Sequence, residues 1–224
     1  MSNPGNSTRA IFYALGANLG IFAAKLGAAM FTGSGAMLAE AVHSLADCGN
    51  QGLLLLGMKR AKLPATPDFP LGYGKETYFW SFLVALMLFS VGGAFAIFEG
   101  ITHIFRLEKD SHGSQWWSLG VLGVSFLFEA LSFRVAFREF KVLAKGKPWA
   151  EAMREARDPT IPLVLAEDTT ALLGLGIAFV AVVLSAATGW RYWDPIGSVL
   201  IGVLLCTVAV VLAKLTHALL IGAS

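Results

Sequence analysis

The sequence predicts an all-α, polytopic membrane protein with six transmembrane helices, and three observations carry that prediction. Of its 224 residues, 56% are hydrophobic and only 14% are charged, a balance outside the range of ordinary soluble domains. A spanning helix needs about 20 apolar residues, so once loops are subtracted the length allows about six spans and leaves no room for a soluble domain. Lys and Arg are also sorted by loop. With six spans, both termini share the side that receives Arg9, Lys59, Arg60, Lys62, Lys75, Arg134, Arg138, Lys141, Lys145, Lys147, Arg154, Arg157 and Lys214. The other side receives only Arg106, Lys109 and Arg191. Merging or losing a helix would scramble this asymmetry. By the positive-inside rule the termini are cytoplasmic, which fits the inner membrane of a bacterium, or the matrix side in an organelle of bacterial ancestry. The net charge of +2 is too small to imply a nucleic-acid partner. Cys48 and Cys206 lie in apolar runs, where structural thiols are expected rather than a disulfide. The opening MSNPGNSTRA lacks a cleavage-site pattern and leads directly into a span.

The first span reads from about Ala10 to Phe31, with Asn18 and Lys25 inside it and Gly16, Gly20 and Gly27 expected at close helix contacts. The second runs from about Ser34 to Gly57 and ends in the basic Lys59, Arg60 and Lys62. Pro64, Pro67 and Pro70 keep the following loop irregular, and Gly72–Tyr73–Gly74 permits a sharp bend. The third span, about Thr77 to Ile104, is scaffold, with Gly92–Gly93 as a kink or contact point and Glu99 and His103 near its far end. Trp116–Trp117 opens the fourth span, which buries Glu129 and ends near Phe140, with Arg134 and Arg138 able to snorkel. The charged stretch from Lys141 to Pro159 can form a short surface helix. The fifth span runs from Thr160 to about Ala187 and carries Glu167 and Asp168. Trp190, Tyr192 and Trp193 form an aromatic belt, Asp194–Pro195 reads as an N-cap and first-turn proline, and the sixth span reaches about Leu220.

Ionisable residues within these spans point to function, because charge at membrane depth is costly. In Ala36–Gly52, Glu40, His43 and Asp47 fall at i, i+3 and i+7 on one helix face. With a rise of 1.5 Å per residue, Asp47 and Glu129 lie roughly 18 to 20 Å in from the side opposite the termini. Asn18 and Asp168 lie about 12 Å in from the basic side, so four spans present polar groups at one level of a core about 30 Å thick. Converging, they offer an imidazole and two or three carboxylates, a set that suits zinc and also accepts manganese, iron(II) or cobalt. Buried carboxylates without a cation repel one another, so an empty site takes up protons, and metal and protons then compete for the same groups. A helical bundle in which His43 and Asp47 merely bond each other is the structural alternative.

These residues resemble a known family, the cation diffusion facilitators, over essentially the whole chain. GSGAMLAEAVHSLADCGNQGLLLLG is similar to the second-span signature, FPLGYGKETYFWSFL to the loop entering the third span, and GWRYWDPIGSVLIG to the entry of the sixth. The wording GYGKETYFW is most similar to the branch containing the mitochondrial-type zinc transporter. The resemblance implies a transporter rather than an enzyme, exporting zinc in exchange for protons, with zinc as substrate and no cofactor. It implies His43, Asp47 and Asp168 as metal ligands and a homodimer as the assembly in the lipid bilayer. Val164 stands where the family usually places a His or Asp, four residues before the fifth-span aspartate. Glu129 is preferred as the fourth ligand on its depth, with Glu167, Asn18 and water as alternatives. Glu167 points about 100° away from Asp168 around the helix, which suits pairing with a basic residue.

The family also continues after the sixth span into a cytoplasmic metallochaperone-like domain, whereas this chain stops at Ser224. A single six-helix transmembrane domain over 1–224 is therefore expected, with that domain either naturally absent or truncated. Lys25 is expected to snorkel or form a salt bridge, with Glu40 as one partner, and Asn18 to bond Asp47 or Asp168. Asp68 and Glu76 can attract metal near the loop, His112 and His217 are expected to be solvated, and Gly174 and Gly176 to mark close packing. A manganese or iron(II) antiporter is the nearest alternative function. A membrane scaffold or sensor subunit that holds metal without moving it is the rival from another class.

Overall fold

A computed structural model describes residues 4–32, 35–106, 115–144, 146–148, 151–152, 159–190 and 192–221. The helices are α1 (Pro4–Thr32), α2 (Gly35–Arg60), α3 (Glu76–Met87), α4 (Phe95–Arg106), α5 (Gln115–Ala144), α6 (Thr160–Thr188) and α7 (Trp193–Ile221). A π-helical segment, Leu88–Ala94, joins α3 to α4 in one continuous third span. Among the described residues there is no strand, as lipid demands, because only internally hydrogen-bonded backbone can cross a bilayer without loss. The described parts of five spans are long and apolar enough to cross a membrane, and α2, at 26 residues, has the length of a sixth. The expected spans hold to within a few residues.

Helices α1, α2, α5 and α6 form one group, in which α1 packs on α2 and α5, and α5 on α6. The third span and α7 pack along each other, and α6 and α2 join them to the group. Such contacts in lipid depend on close backbone approach rather than on a hydrophobic drive. Gly93 shows this directly. A Cβ there would meet Cys206 Sγ, and would lie 2.9 Å from the Cys206 nitrogen and 3.1 Å from the Gly202 carbonyl. The Gly92–Gly93 pair is thus a contact point inside the π-helical segment. Of the other glycines expected at contacts, Gly20 faces the Phe128 ring and Gly174 faces Ile201, whereas Gly16, Gly27 and Gly176 meet nothing within 4 Å.

The buried core lies toward the basic end of the bundle, where α1, α3 and α6 begin and α2, α5 and α7 end. It joins Ile11 and Ala14 of α1, Leu54 of α2, Phe140 of α5 and Ile161, Leu163, Val164 and Leu165 of α6. Val164 is fully buried in this cluster, so the position where a ligand is expected belongs to apolar packing.

At that end the loop bends at Gly72 (φ +73°), and Phe69 and Tyr73 pack with ring centroids 4.8 Å apart. Glu76 accepts a 2.6 Å bond from Trp80 Nε1. Lys147 and Glu151 form an exposed ion pair of 3.3 Å. Glu151 and Ala152 are helical, and most of the expected surface helix around them lies outside the described residues. Arg134, Arg138 and His217 are exposed; His112 lies outside the described residues.

At the opposite end, Gly189 ends α6 in the left-handed region (φ +66°), its N–H bonded to the Ser185 carbonyl at 2.9 Å. Thr188 Oγ1 accepts from Trp193 Nε1 at 2.9 Å, and Trp190 packs against Tyr192 and Trp193 with centroids 5.2 Å away. The aromatic cluster is therefore a built turn as well as a belt. Helix α7 starts at Trp193, and the Ile196 N–H bonds the Tyr192 carbonyl at 3.0 Å. Tyr192 rather than Asp194 thus precedes the first turn. The side chains of Asp194, Trp116 and Trp117 lie outside the described ones.

Candidate metal centre

The site builds from three helices. On α6 the successive residues Glu167 and Asp168 are both buried, and the 100° step between them turns them toward different neighbours. Asp168, 2% exposed, accepts a 2.8 Å hydrogen bond at Oδ2 from Ser132 Oγ of α5. Glu129 lies one turn before Ser132 on the same face of α5 and is also buried. Asp47 is partly buried on α2. The side chains of His43 and Glu40, earlier on α2, lie outside the described ones.

Asp47, Glu129, Glu167 and Asp168 lie close enough for their charges to interact. Lys25, 8% exposed, also lies within electrostatic reach of Glu129, and its Nζ donates to Ser44 Oγ at 3.1 Å. Among the described residues, no three His, Cys, Asp or Glu side chains approach closely enough to hold a metal ion. The structure thus gathers Asp47, Glu129 and Asp168 into one electrostatic neighbourhood.

Two expected partners are corrected. Among the described residues Glu167 pairs with no basic side chain; it accepts from Asn50 Nδ2 at 3.0 Å and from Gln51 Nε2 at 3.2 Å. Asn18 bonds neither Asp47 nor Asp168 and instead donates to Gln51 Oε1 at 3.3 Å. The physical reason is register. Asn50 and Gln51 occupy the turn after Asp47 on α2, where their amides reach α1 and α6. Sequence reasoning missed Asn50, Gln51 and Ser132, although a signal existed. Each lies three or four residues from a residue already singled out, and so shares its helix face.

A bundle of apolar helices that buries several carboxylates at mid-span defines a polytopic membrane protein with an ionisable interior. The chain matches the cation efflux transmembrane domain over residues 11–221. It is 34% identical to metal tolerance protein C4 of Arabidopsis thaliana over 98% of this chain and 48% of that protein. It is 33% identical to the human mitochondrial proton-coupled zinc antiporter SLC30A9, over 87% of this chain and 34% of that one. To the zinc transporter ZitB of Escherichia coli it is 27% identical, over 89% of this chain and 58% of that one. The chain belongs to the cation diffusion facilitator family. It spans about a third to a little over half the length of these relatives.

Proposed function

We propose that this chain is the membrane-embedded part of a zinc/proton antiporter that moves zinc out of the cytoplasm by alternating access. The observation that carries the reading is the neighbourhood of Asp47, Glu129 and Asp168, drawn from α2, α5 and α6, with Glu129 and Asp168 buried and Asp47 partly so. Uncompensated, several carboxylates at that depth are unfavourable, and a dication or protons relieve them equally well. His43, Asp47 and Asp168 are the proposed ligands, with Glu129 as the fourth. Loss of the metal to the far side leaves the same groups to take up protons, which couples the two fluxes. The zinc and proton coupling follow the relatives whose names state them. The basic loops favour cytoplasmic termini in a bacterial inner membrane, and a homodimer is the proposed assembly.

Flux in proteoliposomes tests this. Zinc uptake driven by a pH gradient is expected in the wild type and absent in Asp47→Ala. Full uptake in that variant, or none in the wild type, refutes the mechanism. Competition with manganese and iron(II) during the same uptake assigns the substrate.

A further inference from the structure

Asn18, Asn50, Gln51 and Glu167 make a second polar layer, distinct from the proposed ligands. All four are buried, with exposures of 5%, 3%, 0% and 8%. Three hydrogen bonds join them in series across α1, α2 and α6: Asn18 to Gln51, Gln51 to Glu167, and Asn50 to Glu167. Helix direction sets their level. Asn50 and Gln51 follow Asp47 toward the basic end of α2, and Glu167 precedes Asp168 on a helix that begins at that end. The layer therefore lies between the carboxylates and the basic side. One turn further toward that side are Ala14, Leu54 and Leu163, members of a single buried cluster.

We infer that Glu167 is a positioning residue whose clasp by Asn50 and Gln51 latches α6 to α2 and keeps the path from the carboxylate layer to the basic side shut. The inference rests on the transport reading, in which that path must open for metal to enter. Two amides donating to one buried carboxyl group are bonds that are costly to leave unmade, and they tie α2 directly to α6. Beneath the clasp, Leu54 of α2 and Leu163 of α6 belong to one buried cluster, which excludes water only while the helices that carry it stay together. Among the described residues, Asn50 Oδ1 is buried and accepts no hydrogen bond. It is an acceptor at the latch itself, and this makes a sharp variant available. In Glu167→Gln, one amide oxygen still accepts from the clasp and the new NH2 can donate to Asn50 Oδ1. A latch survives that change, whereas a carboxylate that ligates metal does not.

The test is thiol accessibility from the basic side, in inside-out membrane vesicles carrying the full chain with Cys48 and Cys206 replaced by serine. Ala14→Cys places the reporter one turn below Asn18, at a position 1% exposed. An impermeant maleimide is expected to label it slowly in the parent. Labelling should be about tenfold faster in Glu167→Leu and in Gln51→Leu, the order expected from losing one or two such bonds. Glu167→Gln should label like the parent and keep its zinc affinity by calorimetry. Unchanged labelling in both leucine variants overturns the latch. So does loss of zinc binding in Glu167→Gln to the level of Asp168→Asn, because Glu167 is then a ligand. A second reporter, Ala85→Cys in α3, should stay protected throughout, and its exposure would mark general loosening and overturn the latch as well. If Asp168→Asn binds zinc like the parent, the proposed metal site fails, while the labelling still decides the latch.

Discussion

Ser132→Ala removes a direct hydrogen bond to Asp168. The Ser132 hydroxyl donates to Asp168 Oδ2 at 2.8 Å, and Ser132 is only 3% exposed, so water cannot take its place. Removing a buried hydrogen bond to a charged group costs about 1.5–3 kcal/mol. Part of that loss is spread over the free and metal-bound states, and partners that orient a ligand typically contribute 10–100-fold in metal affinity. The expected result is a zinc affinity weaker by about tenfold, equivalent to about 1.4 kcal/mol. Calorimetric titration of the purified protein in nanodiscs measures it, with Ser125→Ala as the control. Ser125 is equally buried on α5, but among the described residues its hydroxyl has no hydrogen-bond partner. Equal affinity in the wild type and Ser132→Ala would refute the reasoning, since Asp168 would then not depend on this donor for its role. Equal losses in Ser132→Ala and Ser125→Ala would refute it too, by tracing the effect to packing of α5.

Other outcomes follow from the same geometry. Glu129→Gln removes a carboxylate from the shared neighbourhood and should weaken zinc binding; unchanged affinity and flux would remove Glu129 from the ligand set. Zinc binding should fall as the pH is lowered from 8 to 5.5, because protons and metal compete for the same imidazole and carboxylates, and a flat profile over that range would count against exchange at one site. Gly93→Leu should lower the melting temperature in detergent markedly, because its side chain has to displace the α7 backbone at Gly202 and Cys206. The same substitution at Gly16, which has open space, should have little effect. In Trp193→Phe the ring stays but the 2.9 Å bond to Thr188 is lost. Only a small loss of thermal stability is expected, because this turn is exposed at the membrane edge.

Much of the fold was legible because a bilayer allows a chain few choices. An apolar run of sufficient length between charged loops must be a helix, since its backbone has no other hydrogen-bond partner in lipid. The start of α6 at Thr160 follows from the proline before it, whereas α2 runs on to Arg60, past the expected end at Gly57. The π-helical segment at Leu88–Ala94 was not legible, because LFSVGGA reads equally well as α-helix. Gly92 and Gly93 mark only that something approaches closely there. Helical rise alone put the carboxylates of three spans at one expected level, and the charges of Asp47, Glu129 and Asp168 lie within reach of one another. Their partners were not readable, and the expected bonds of Asn18 and Glu167 were assigned to the wrong groups.

The sequence by itself determined the class of fold, the order of its helices, the family, and which helices carry acidic side chains. These depend on composition, spacing and rise per residue, all properties of one helix at a time. Only the tertiary structure decided that Asp168 turns to Ser132 while its neighbour Glu167 turns to Asn50 and Gln51. It also decided that Val164 belongs to the core, and that the third span meets α7 through Gly93. Each of these depends on how far a helix is rotated about its own axis against its neighbours. That rotation is set by side-chain packing across the whole bundle, which no single segment encodes.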